Sequence, residues 1–185
     1  VKDALILSIL EATKESIIRR GYTATTTKRI AQEAKISEMS LFRAFKKKKD
    51  IVLYALEHHL WFPEFSAIDT THTAEPLDVQ LTRLAQSFCE YISEDYIRLL
   101  IGLRSPDIFP EIRGKLTTAQ PFQTNLSIFF AAYSDQPEVY AEIFMSTFFG
   151  WLFAQISYED DFYQSSFSTF SRTVIQLLET QLKRT

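Results

Sequence analysis

Apolar residues recur along this chain at spacings of three and four, and the strict alternation that marks a half-buried strand is scarce. That period belongs to α-helices with one face turned inward. It predicts a first helix from about Asp3 to Arg20, with Leu7, Leu10, Ile17 and Ile18 supplying most of the apolar stripe. Gly21 follows, and a glycine there can take the left-handed conformation that ends a helix. Thr25-Thr26-Thr27 offers an N-cap to a short helix, Lys28 to Ala34, whose Ile30, Ala31 and Ala34 face inward. Lys35-Ile36 reads as a turn, and Ser37 caps a third helix, Glu38 to Phe45. Four lysines, Lys46 to Lys49, separate it from a fourth helix, Asp50 to about Phe62, which Pro63 stops.

A threonine-rich polar loop covers residues 66–76. Helices are then expected at 77–94, 95–104, 119–134, 137–157 and 163–183. A Pro-containing connection, 105–115, and an acidic loop, 158–163, lie among them. The fold class expected is all-α: a three-helix N-terminal domain over residues 1–50, followed by a helical bundle over 51–185.

Charge sharpens that division. The 185-residue chain has a net charge of −3. Residues 1–50 nevertheless hold 12 Lys/Arg against 6 Asp/Glu, whereas 51–185 hold 8 against 17. A basic head on an acidic body points to a nucleic-acid-binding domain joined to a domain with another task. The single cysteine, Cys89, excludes an internal disulfide and suits a reducing compartment. Charges throughout residues 1–20 argue against a secretory signal, so a cytoplasmic protein is expected. The most apolar run, 143–156, contains Ser146, Thr147 and Gln155. It falls short of the roughly 20 apolar residues of a membrane span, and no membrane partner is expected.

Residues 26–45 form two short helices joined by a tight turn, the geometry of a helix-turn-helix. On a helical wheel Leu41 and Phe45 fall together and face inward. Met39 and Arg43 fall together on the opposite side, with Glu38, Ser40 and Phe42 on the flanks. An outward arginine can make bidentate bonds to guanine. Met39 can pack on a thymine methyl, and Ser40 can bond a base edge or a phosphate. The lysines at the start of the next helix can reach phosphates beside the groove and fix the docking register. Free N–H groups at the helix starts near Thr26 and Ser37 can add phosphate donors.

These residues, 21–56, resemble the TetR family of bacterial transcriptional regulators. The resemblance rests on Gly21-Tyr22, Thr25-Thr26, Ile30-Ala31-Gln32-Glu33-Ala34, Ile36-Ser37, Leu41-Phe42-Arg43-Ala44-Phe45 and Lys48-Lys49-Asp50-Ile51. Carried over position by position, it implies DNA contacts at Thr26, Lys28, Ser37, Met39, Ser40, Phe42, Arg43 and Lys48. It also implies a repressor that binds inverted-repeat operators as a homodimer, with a small-molecule effector bound by the C-terminal helices. Three positions depart from the family pattern. Lys35 stands where the turn usually has Gly, and a lysine at positive φ costs about 1 kcal/mol. Phe42 replaces the usual Tyr and lacks its hydroxyl. Arg43 is not the commonest residue at its position.

Residues 51–185 carry no motif but are rich in rings. Trp61, Phe88, Tyr91, Phe109, Phe122, Phe129, Phe148 and Trp151 are the candidate effector-binding residues. Cys89, Arg98, Arg104, Gln123 and Gln155 are the polar candidates among them, since ligand sites are mostly apolar with a few polar groups. Such rings can equally fill a core. The broad apolar faces of helices 137–157 and 163–183 predict a four-helix dimer interface with a second copy. The helix 50–62 joins the two regions and is the expected lever between effector and DNA. No catalytic or metal-binding motif is present, and no cofactor is expected: HExxH, CxxC and a nucleophile elbow are all missing, and His58 and His59 diverge on a helix. An architectural DNA-binding protein without an effector is the alternative. A helical enzyme whose basic head binds an anionic substrate would need a catalytic constellation.

Overall fold

The computed structural model describes residues 2–62, 74–116, 120–158 and 163–182. Over these the chain forms α1 (Lys2–Ala24), α2 (Thr27–Glu33), α3 (Glu38–Ala44), α4 (Lys48–Glu57), α5 (Leu77–Tyr91), α6 (Glu94–Gly102), α7 (Phe109–Ile112), α8 (Gln120–Phe130), α9 (Pro137–Ser157) and α10 (Phe167–Leu182), with a 3-10 turn at Arg113–Lys115. No strand occurs among the described residues, so the fold is all-α, as the spacing predicts. Pro63, the loop at 66–73, His72 and most of the acidic loop lie outside the described residues.

By packing, the chain divides into two compact units. One is Val1–Pro63 with Asp95–Thr117, and the other is Glu64–Glu94 with Thr118–Thr185. This differs from the division by role at residue 50: α4, α6 and α7 pack with the basic head.

In the first unit, α1 turns Ile9, Leu10, Thr13, Ser16 and Ile17 inward. Leu7, expected in that stripe, is instead 57% exposed. The true stripe contains two hydroxyl residues, and one of them, Thr13, satisfies its own Oγ1 by donating to the Ile9 carbonyl at 2.7 Å. Regular helix breaks at Gly21, whose φ of 78° and ψ of 164° lie in a region only glycine visits freely.

The ends of α2 and α4 share one design. After α2, Lys35 N–H donates to the Gln32 carbonyl and Ile36 N–H to the Ala31 carbonyl, with Lys35 at φ 57°. After α4, His59 and Leu60 repeat the pattern onto Leu56 and Ala55, with His59 at φ 52°. These are Schellman caps made with non-glycine residues. The second stops α4 at Glu57, five residues short of the end predicted from Pro63.

The same unit buries Ile30, Leu41, Ile51, Val52, Trp61 and Phe62 together with Leu99, Leu103, Ile108 and Ile112. α6 meets α1 through Gly102: a Cβ placed there would lie 2.6 Å from the Ile17 carbonyl oxygen.

In the second unit α8 packs along α9, and α5 packs against α9 and α10. Its core is a run of rings. Phe88 stacks on Phe122 at 4.9 Å, and Phe144 lies 4.8 Å from Phe148. α9 is apolar on all sides, with a mean hydropathy of 1.3 over its most apolar window, of which 28% is buried. By length and composition it could cross a membrane. Its buried Phe144 and Phe148 belong to the core of the helical unit, and Val139 and Ile143 are exposed.

Two outcomes follow for thermal unfolding. Gly102→Ala gains about 1 kcal/mol of helix propensity but must push α6 off α1, at about 1–3 kcal/mol. Its unfolding temperature is expected to fall, whereas Gly114→Ala, with nothing within 4 Å of the new Cβ, should not lower it. Equal behaviour of the two would refute the close approach. Lys35→Gly removes the cost of a left-handed lysine and should stabilise by up to about 1 kcal/mol; a lower unfolding temperature would contradict the reading.

Candidate nucleic-acid interface

The helix-turn-helix is held by local caps and by a few buried side chains. Thr26 caps α2, its Oγ1 accepting from Arg29 N–H at 3.3 Å. Ser37 caps α3, accepting from Ser40 N–H at 3.1 Å, and the two serine hydroxyls lie 2.9 Å apart. Leu41 and Phe45 are buried beneath α3, and Phe45 meets Tyr54 edge-on at 5.5 Å.

With those two inward, the wheel turns the other face out. Met39 is 67% exposed, Phe42 is 47% exposed, and Arg43 is exposed beside them. Arg43 Nη2 donates to Met39 Sδ at 3.8 Å. Thr26, Lys28 and Ser37 are also exposed, while Ser40 is half-buried in the cap.

The bases of the head divide into two classes. Arg19 and Arg20 are drawn to Glu33 at 3.2 and 3.4 Å, and Lys49 pairs with Glu111 at 3.0 Å. Lys28, Lys46 and Lys47 have no acidic partner among the described residues. The charges of Arg19 and Arg20 are therefore met by Glu33, whereas those of Lys28, Lys46 and Lys47 near α3 are left open.

Lys48, expected as a phosphate anchor, is committed elsewhere. Its ammonium donates to the Tyr22 carbonyl at 2.6 Å and the Thr25 carbonyl at 2.7 Å, and it sits 3.9 Å from the Tyr22 ring centre. An ammonium has three N–H donors, so one remains for a phosphate. Burial lowers its pKa, with Asp107 opposing the shift. Burial likewise raises the Tyr22 phenol, helped by Asp107, Glu111 and Asp50.

The lysines best placed to reach outward are Lys46 and Lys47, just before α4. A usable signal was Asp50: its Oδ2 accepts from Lys47 N–H at 2.9 Å, an N3 carboxylate marking Lys47 as the cap. A second feature was missed. Thr23 Oγ1 lies 2.9 Å from Ser105 Oγ and 3.2 Å from Asp107 Oδ2, tying the α6–α7 segment to the end of α1.

The aromatic set does not gather in one place. Trp61 is buried in the first unit and Phe109 packs against the same core, under the Arg104 guanidinium at 5.5 Å. Both belong to the packing of the head and not to a cavity in the C-terminal helices. Phe88, Phe122, Phe129 and Phe148 are buried in the second unit, where Tyr91 and Trp151 are half-buried. Trp151 stacks on Phe170 at 5.3 Å. Its Nε1, and Oε1 of Gln155 one turn on, are buried without a hydrogen-bond partner. Arg98 and Arg104 are exposed in the first unit, and Gln123 reaches toward Glu142 at 3.5 Å. Burial pushes the Cys89 thiol up to about 12, so at neutral pH it is an uncharged, unreactive group. Among the described residues no cluster of His, Cys, Asp and Glu could hold a metal ion.

Residues 9–55 match the family described as bacterial regulatory proteins, tetR family. A Bacillus subtilis (strain 168) protein described as the uncharacterized HTH-type transcriptional regulator YvkB is 26% identical over 160 residues, covering 82% of this chain and 83% of its own. Among solved structures, a candidate TetR-family regulator from Mesorhizobium loti MAFF303099 superposes with a TM-score of 0.68 at 14% identity, over 98% of this chain and 96% of its own. The fatty acid degradation regulator FadR from Bacillus halodurans gives 0.64 at 13%, over 96% and 94%. The flavonoid-responsive regulator FrrA gives 0.62 at 18%, over 97% and 96%. At these identities the structural likeness is one of fold.

The clamp on Lys48 is open to a direct test. Lys48→Met deprives the Thr25 carbonyl of its partner and should cost about 1–3 kcal/mol, read as a lower unfolding temperature. Lys46→Ala and Lys47→Ala should leave that temperature unchanged. If all three variants unfold alike, Lys48 is not a clamp.

Proposed function

We propose that this chain, which belongs to the TetR family of bacterial transcriptional regulators, binds an inverted-repeat operator as a homodimer and is released from it by a small-molecule effector. The observation that carries the reading is the outward face of α3: Met39, Phe42 and Arg43 exposed on a helix anchored from below. Unpaired Lys28, Lys46 and Lys47 supply phosphate contacts, and Lys48 adds its remaining N–H. Thr26, Ser37 and Ser40 hold the two helices in position and offer hydroxyls at the groove edge.

Two copies joined through α9 and α10 would set their α3 helices about 34–36 Å apart, one turn of DNA. Support comes from the exposed Val139, Ile143 and Leu177. They line a shallow groove of about 350 Å³ with Tyr140 and Leu178, a surface suited to a second apolar helix. Gly150 is exposed, and a Cβ added there would meet nothing within 4 Å, which leaves room for close approach.

The effector is assigned to the aromatic second unit, with Phe88, Tyr91, Phe122, Phe129, Phe148 and Trp151 as its apolar walls. The buried, unpartnered Trp151 Nε1 and Gln155 Oε1 offer one donor and one acceptor. A flavonoid-responsive regulator among the structural neighbours fits a ligand-controlled protein. Control requires the effector to bind the DNA-free form more tightly. α4, α6 and α7 belong to the packed unit that carries α3, so rearrangement of α5 or α8 would be transmitted along the chain into that unit. Repression is the default that the family resemblance implies, and a cytoplasmic location goes with a DNA-binding role.

The decisive titration is against DNA upstream of the chain's own gene, with a scrambled duplex as control, at two salt concentrations. Selective binding with a dimer-sized footprint is expected. Arg43→Ala should cost about 1–3 kcal/mol and relax sequence preference, whereas Lys46→Ala and Lys47→Ala should weaken all sequences alike and lower the salt slope by about one each. Equal, salt-sensitive binding to both duplexes would overturn the regulator reading, and sedimentation as a monomer at micromolar concentration would overturn the dimer.

A further inference from the structure

We infer that α3 reads a guanine and a thymine on adjacent base pairs, Arg43 taking the guanine and Met39 covering the thymine 5-methyl group. The inference rests on the operator-binding reading above and names what that face recognises.

Met39 is exposed to solvent on α3, within the basic first 50 residues of the chain. It is no part of the buried core of the first unit. A thioether has no hydrogen to donate and accepts weakly, so it cannot read the hydrogen-bonding edge of a base. The major groove offers one apolar group to such a side chain, the thymine methyl; guanine offers two acceptors, O6 and N7, matched to a guanidinium fork.

The spacing also fits. Helical side chains lean toward the N-terminus, so Arg43 lies back over Met39, and its Nη2 stands 3.8 Å from Sδ. Successive base pairs are stacked about 3.4 Å apart. That separation matches two heads directed at neighbouring base pairs. Phe42 sits on the flank of this line, better placed for the groove wall.

The test uses full-length protein to select an operator from a random duplex library. Each thymine of the selected site is then replaced by deoxyuridine, which removes the methyl and keeps every hydrogen-bonding group. Burial of one methyl corresponds to roughly fourfold in affinity. One thymine per half-site, next to a guanine, should therefore show about a fourfold loss, and about tenfold or more when both half-sites are changed. Met39→Ala should bind the original site more weakly and lose the penalty to less than twofold, with its unfolding temperature intact because the residue is exposed. The inference fails if no thymine shows a penalty above twofold while an operator is still selected. It also fails if Met39→Ala keeps the full penalty, or if Phe42→Ala alone erases it. A library that yields no preferred sequence overturns the regulator reading, and this inference with it.

Discussion

The arrangement of the exposed face of α3 depends on one turn. Ile36 N–H reaches back to the Ala31 carbonyl at 2.9 Å while Lys35 sits at φ 57°, and this fixes the angle at which α3 leaves α2. α3 is only seven residues long, too short to be stable alone. Leu41 and Phe45 secure it from beneath. Once the turn and these two anchors are set, the outward positions of Met39, Phe42 and Arg43 have no freedom left. The outward face is what remains after the inward demands are met.

Electrostatics follow from the same frame. Cations at a helix N-terminus oppose the helix dipole, yet α4 starts inside a run of lysines. Asp50 offsets part of this by accepting from Lys47 N–H. Lys48 escapes by reaching to carbonyls at the end of α1, the end where a cation is favoured. Lys49 is met by Glu111 of α7. The α6–α7 segment thus does more than fill the core: Ser105 and Asp107 tie it to Thr23, and Glu111 takes up the charge of Lys49. Lys46 and Lys47 are left over on the side next to α3.

Much of this was legible in the chain, and the failures have physical causes. Helix identity came from spacing, and α9 matches its predicted limits because Pro137 marks the start and an acidic stretch follows the end. The end of α4 was misplaced because backbone hydrogen bonds around His59 stop it, and a histidine at positive φ leaves no sequence signature. The face of α1 slipped because Thr13 and Ser16 are buried with their hydroxyls internally satisfied or paired, which a count of apolar residues cannot see. Ring identity says that Trp61 and Phe109 will be packed, but not in which core. That 95–117 joins the head is a property of long-range contacts; Gly102 was its one local trace. At the site, Arg43, Met39 and Phe42 were readable from the wheel because α3 is amphipathic. The role of Lys48 was not, because its carbonyl partners lie more than twenty residues away in the chain.

The local rules that this chain breaks lie close together. A lysine takes a left-handed conformation at Lys35, lysines crowd the start of α4, and Met39 and Phe42 face water on α3. Each is mildly unfavourable for a folded head considered alone, and each would be simple to repair with Gly, Asp or a polar residue. Sequences that specify a fold agree across levels, and departures gather where function constrains them. Elsewhere in the same unit the rules are kept: Ile17, Leu99 and Ile112 are fully buried, Arg19 pairs with Glu33 and Lys115 with Glu57. Stability alone accounts for those residues. On the proposed reading, the partner of the surface around α3 offers phosphate to the open lysines, acceptors to Arg43 and apolar contact to Met39, a combination that the major groove of DNA presents.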